Sequence, residues 1–104
     1  DLFLSEISSN LSEQWTTESM ARYCQVGVTS FIHYCKHLKN MTPLQYLTQL
    51  RLEKAVKLLL EKPEMKVINI AFECGFNSSQ YFATVFRSKY KCTPREYQVA
   101  YSTP

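Results

Sequence analysis

An all-α fold is predicted, with two helix-turn-helix subdomains joined by a long linker helix and about seven helices in total. Three observations carry this. Apolar residues recur at spacings of three and four, and few segments alternate with period two. Glycine is scarce, at Gly27 and Gly75 only. The two halves of the chain also repeat one another.

The elements follow in order. Leu4, Ile7 and Leu11 form a first amphipathic stretch. Thr16 is an expected N-cap for a helix from Thr17 to about Cys24, with Glu18 favourable in its first turn. Gln25-Val26-Gly27 make a turn before a helix from about Val28 to Lys39. Thr42-Pro43 pairs an N-cap with proline at the first helical position. The long helix it opens carries Leu47, Arg51, Leu52, Ala55, Leu58 and Leu59 on one face, widened by Leu50, Val56 and Leu60. It must be covered on more than one side. It ends near Lys62, before Pro63, and its length is roughly 28 Å. A fifth helix is expected from about Val67 to Cys74, then a turn at Gly75-Phe76-Asn77. Ser78 or Asn77 caps a sixth helix to about Lys89, and Thr93-Pro94 opens a seventh to about Ala100. The organisation is residues 1–42, a linker helix 43–62, and residues 63–104.

The repeat is specific in its spacing. Met20-Ala21, a turn, Phe31, Cys35 and Thr42-Pro43 are answered by Ile70-Ala71, Gly75-Phe76, Phe82, Phe86 and Thr93-Pro94. Phe31 precedes Pro43 by the same interval as Phe82 precedes Pro94, and the second turn is one residue longer. Each half is a short helix, a tight turn and a longer helix. Ala21 and Ala71 let the paired helices approach, Gly75 suits positive φ, and Phe31, Phe76 and Phe82 are core.

Charge narrows the function. The net charge is +3 over 104 residues, but residues 1–18 hold four acids and no base, so the rest carries 12 basic and five acidic residues, net +7. Residues 28–39 and 78–89 contain no Asp or Glu. Such faces suit a phosphate backbone. Recognition helices reading successive major grooves lie about 34 Å apart, a separation of the order that the linker helix provides.

On the outward faces, Thr29, Ile32, His33 and Lys36 stand opposite Phe31 and Cys35. Ser79, Gln80, Ala83, Thr84 and Arg87 stand opposite Phe82 and Phe86. These nine are the candidate DNA contacts. Gln80 suits adenine and Thr29 or Ile32 a thymine methyl. His33 suits a base or a phosphate, and Lys36 and Arg87 suit phosphates. Backbone N–H groups at the helix starts are further phosphate donors. Lys39, Lys89 and Lys91 are either weaker contacts or solvated surface. Arg51, set in an apolar stripe, needs a partner; an acid or helix-end carbonyls in a structural role is the favoured reading over a phosphate.

Other classes fare worse. His33 and His37 are four apart, a spacing that holds metals on helices, but no acid follows His33 as hydrolase chemistry requires. Neither a carboxylate pair nor a glycine-rich phosphate loop is evident, so neither an enzyme, a cofactor nor a metal is expected. Cys24, Cys35, Cys74 and Cys92 lack CxxC spacing and read as free thiols of a reducing cytosol. No apolar run spans a membrane and no leader is apparent. The chain begins at Asp1, which suggests a piece of a larger protein. A helical protein-interaction module remains the alternative; it explains amphipathic helices but not the duplication. RNA reading would favour exposed stacking aromatics.

The chain resembles the AraC/XylS-type transcription regulators from about Leu4 to Tyr97. The resemblance rests on Ile70-Ala71, Gly75-Phe76, Tyr81-Phe82, Phe86-Arg87 and Thr93-Pro94-Arg95-Glu96-Tyr97, and on Tyr46-Leu47, Arg51-Leu52, Ala55 and Leu58-Leu59 in the linker helix. It implies a seven-helix, two-lobed domain on double-stranded promoter DNA in the bacterial cytoplasm, usually of an activator. RNA polymerase is a further candidate partner, and dimerisation would reside in an N-terminal sensor region. Members usually end each recognition helix with glycine. Asn40 and Lys91 stand there instead, Asn tolerating the left-handed conformation and Lys adopting it with some strain. Cys35 replaces a usual aromatic, and His33 and Thr84 stand where arginine is frequent.

Overall fold

The structure is a computed structural model that describes Ile7 and residues 10–101. Six helices are formed among the described residues: α1 (Thr17–Tyr23), α2 (Val28–Lys39), α3 (Pro43–Glu61), α4 (Val67–Glu73), α5 (Ser79–Tyr90) and α6 (Pro94–Tyr101). Most of the first amphipathic stretch lies outside the described residues, although Ile7 and Leu11 are buried. The chain divides into two compact units, Asp1–Leu50 and Arg51–Pro104, so the boundary falls inside α3.

The starts of these helices are chemically determined. Thr42 and Gln45 form a capping box: the Gln45 N–H donates to Thr42 Oγ1 at 3.1 Å, and the Thr42 N–H donates to Gln45 Oε1 at 2.9 Å. Thr93 and Glu96 repeat it at 3.1 and 2.8 Å. Thr16 does the same with Ser19. Each box satisfies one helix-start N–H and the cap's own.

The ends are equally determined. The Gln25 N–H donates to the Arg22 carbonyl and the Val26 N–H to that of Ala21, both at 3.0 Å. In the second unit Gly75 donates to Phe72 and Phe76 to Ala71, again at 3.0 Å. This is the Schellman closure of a helix, which requires a left-handed residue at its centre. Gly75 adopts φ 101°, and Gln25 adopts φ 60° despite its side chain. The turns span four residues in the first unit and five in the second, as the spacing predicts.

Each unit has its own core. In the first, Ile7, Leu11, Met20, Ala21, Cys24, Phe31, Cys35 and Leu47 are buried together, edged by Trp15, Tyr34, Tyr46 and Leu50. In the second, Leu52, Ala55, Leu59, Ile70, Ala71, Cys74, Phe76, Phe82 and Phe86 are buried. Leu47 thus belongs to one core and Leu52 to the other, which explains the wide apolar surface of α3. Burying a side chain such as Phe82 or Leu59 stabilises by about 1.5–3 kcal/mol. Burial pushes the Cys74 thiol up to about 11, against the opposing pull of Lys54, so Cys74 is a packed, unreactive thiol.

Candidate nucleic-acid interface

In the first unit α1 packs on α2, and in the second α4 packs on α5, which also meets α6. The packing fixes which faces of α2 and α5 turn outward. Phe31 and Cys35 anchor α2, at 2% and 0% exposure; Phe82 and Phe86 anchor α5, both at 0%. Anchors four residues apart define one buried stripe, and the opposite stripe is presented.

On α2, Thr29, Ile32, His33 and Lys36 are all exposed. On α5, Gln80, Thr84 and Arg87 are exposed, whereas Ser79 and Ala83 are half-buried. At 100° per residue Ser79 lies only about 60° from Phe82, which accounts for its partial burial. The two faces correspond at a constant offset: Thr29 with Gln80, Ile32 with Ala83, His33 with Thr84, Lys36 with Arg87. Thr84 donates its hydroxyl hydrogen to the Gln80 carbonyl at 3.0 Å, which leaves its lone pairs to accept.

The helix starts differ. Ser78 accepts the Tyr81 N–H at 3.2 Å. Gly27, the N-cap of α2, provides no side-chain cap. Both helices end in left-handed residues, Asn40 at φ 55° and Lys91 at φ 66°, so the conformation that glycine usually supplies is kept without it.

The three secondary lysines are engaged locally. Lys39 lies over the Tyr46 ring at 5.4 Å, Lys89 over Tyr90 at 6.0 Å, and Lys91 donates to the Ser88 carbonyl at 2.9 Å. Arg51 is half-buried, and burial lowers its pKa while Cys74 and Tyr81 act in the opposite sense. Three residues on, Lys54 reaches a helix-end carbonyl, its Nζ donating to that of Glu73 at 3.4 Å.

Two exposed neighbours were not singled out as contacts from the sequence. His37 lies parallel to His33, the planes 7° apart and the centroids 6.4 Å, and both border an open groove with Thr29, Ser30 and Tyr34. Tyr81 is 54% exposed beside Gln80 and leans on Phe76. The four-residue spacing of the histidines was visible, but their common orientation was not. Among the described residues no group of three or more His, Cys, Asp or Glu could hold a metal ion. Among them, too, no helix is long and apolar enough to cross a membrane.

The helix-turn-helix domain family matches residues 20–100. A transcriptional regulator from Chromobacterium violaceum, described as containing an AraC-type DNA-binding domain, superposes with a TM-score of 0.89 at 27% identity, over 98% of this chain and 90% of that one. The chain belongs to the AraC/XylS helix-turn-helix family. It is a DNA-binding domain of a bacterial transcription regulator. The DNA-binding domain of AdpA, a global transcriptional factor, in complex with a target DNA matches with a TM-score of 0.87 at 28% identity, over 96% of this chain and 89% of that one. The transcriptional activator RhaR of Mannheimia succiniciproducens is 38% identical over 90% of this chain. The chain spans about a third of the length of the curated relatives RhaR and RhaS, 34% in each case.

Proposed function

We propose that this AraC-type domain reads promoter DNA with α2 and α5 in successive major grooves of one duplex, as part of a cytoplasmic transcription activator. The single observation that supports this best is the matched pair of outward faces, Thr29, Ile32, His33 and Lys36 against Gln80, Ala83, Thr84 and Arg87, on helices that contain no acid. Gln80 pairs with adenine through two hydrogen bonds, and Thr29 and Ile32 pack on thymine methyls. His33 and Thr84 supply polar contacts, with Ser79 at the helix start. Lys36 and Arg87 neutralise phosphates and fix register rather than sequence. Activation, rather than repression, is supported by the relatives RhaR and RhaS, both transcriptional activators. RNA polymerase would then be met at the promoter, and dimerisation would belong to regions outside this domain.

The test is selection of bound sequences from random duplex DNA at two salt concentrations, with Gln80→Ala beside the parent. Two enriched boxes about one helical turn apart, the second degraded by the substitution, are expected. Binding without enrichment that vanishes at moderate salt would sink the reading in favour of charge attraction, and the protein-interaction alternative would take its place.

A further inference from the structure

The linker helix α3 contributes to the second unit more than apolar packing. Lys54 reaches from α3 to the Glu73 carbonyl, the last of α4, at 3.4 Å. The turn's own bonds use the carbonyls of Ile70, Ala71 and Phe72. Glu73 therefore offers an oxygen at the negative end of α4 that the Schellman closure leaves to another donor. The residues that follow are tightly held: Cys74 is 0% exposed, Gly75 sits at φ 101°, and Phe76 is 3% exposed. Phe76 meets Phe82 at 5.0 Å and Tyr81 at 6.2 Å between ring centroids. A shift at Glu73 is thus passed through three residues to the first turn of α5, where Gln80 stands.

We propose that Lys54 is a positioning residue for the second recognition helix, acting through the Glu73 carbonyl and the Phe76 wedge to set the aim of Gln80, Thr84 and Arg87. The inference rests on α5 reading DNA as proposed above. Lys54 and Glu73 both belong to the second unit, and in the first unit the residue that corresponds to Glu73, Tyr23, stands edge-on to Trp15 at 5.5 Å. Loss of Lys54 therefore acts on one box and not the other, which separates it from a general loss of stability.

The experiment uses duplexes enriched by the parent chain, with each box scrambled in turn, against Lys54→Met, Lys54→Arg and Gln80→Ala. Lys54→Met keeps most of the length of the side chain and removes its charge. It is expected to weaken binding through the Gln80-dependent box roughly fivefold, as befits a cation at a helix C-terminus, and to leave the other box unchanged. Lys54→Arg restores most of the loss. Amide resonances of Gly75 and Phe76 should move in Lys54→Met, and those of α2 should not. A Gln80-dependent box indifferent to Lys54→Met overturns this inference alone. So does an equal loss at both boxes that tracks the thermal midpoint, or a salt slope lowered by about 0.9 in Lys54→Met, which would mark Lys54 as a phosphate contact. A Gln80→Ala variant as tight as the parent overturns the reading of α5 and this inference with it.

Discussion

Gln98 donates from Nε2 to the Leu59 carbonyl at 2.9 Å, across 39 residues of sequence. A longer bond at 3.5 Å reaches the Pro63 carbonyl, and Oε1 accepts from Arg95 Nη1 at 3.1 Å. Leu59 lies in the last turn of α3, where carbonyls lack intrahelical partners. A side chain from α6 therefore closes the end of α3 from within the core of the second unit. Gln98→Leu removes the donor and leaves the Leu59 carbonyl buried. The expected loss is about 1–3 kcal/mol in urea unfolding, the range for an orphaned buried polar group. A variant as stable as the parent would show that water replaces the amide.

Backbone handedness gives a pair of opposite predictions. Gly75 at φ 101° and Lys91 at φ 66° both lie in the left-handed region. Gly75→Ala introduces a side chain where φ disfavours one, at a cost of ~1–3 kcal/mol. Lys91→Gly relieves strain of about 1 kcal/mol, partly offset by the greater freedom of glycine in the unfolded chain. The thermal midpoint should fall for the first and hold or rise for the second. A fall for both would mean that the Lys91 bond to Ser88 outweighs the strain.

Acid stability is expected to depend on Glu96. The Thr93 backbone N–H, then its hydroxyl, hold the Glu96 carboxyl below its ordinary range; Arg87 adds to this and burial opposes it. A depressed folded pKa contributes stability above the unfolded carboxylate value, which is lost as pH falls through the folded one. The window therefore lies at and below about pH 4.3. Glu96→Gln keeps an oxygen for the Thr93 N–H, as Gln45 does at Thr42, but cannot titrate. Unfolding free energies measured from neutral to acidic pH should show a shallower fall in the variant. Parallel curves would remove Glu96 from the account.

The helices were legible because their signals are local. Thr42-Pro43 and Thr93-Pro94 mark their starts, and the equal intervals to Phe31 and Phe82 expose the repeat. The Gln45 and Glu96 halves of the capping boxes were legible in principle from the same T-x-x-Q/E pattern. Gln25 was not, since nothing in a glutamine announces a left-handed turn; only its alignment with Gly75 does. Nor were Gln98 and Lys54, whose partners lie 39 and 19 residues away and depend on how helices pack. For the outward faces, periodicity separated Thr29, His33 and Lys36 from Phe31 cleanly. It placed Ser79 too far outward, because a residue beside the buried stripe has the same spacing as one at the rim.

Salt dependence separates the two kinds of DNA contact. Lys36 and Arg87 occupy matching positions on α2 and α5, both exposed, and each is expected to neutralise one phosphate. Removing either by alanine should reduce the slope of log affinity against log salt by about 0.9, and weaken all sequences alike. Gln80→Ala should leave the slope unchanged and cost about 1–3 kcal/mol at a single base position. Titrations of enriched and scrambled duplexes at four salt concentrations distinguish these outcomes. An unchanged slope for both Lys36→Ala and Arg87→Ala would move the phosphate contacts elsewhere, to the lysines at the ends of α2 and α5 or to the backbone N–H groups at their starts.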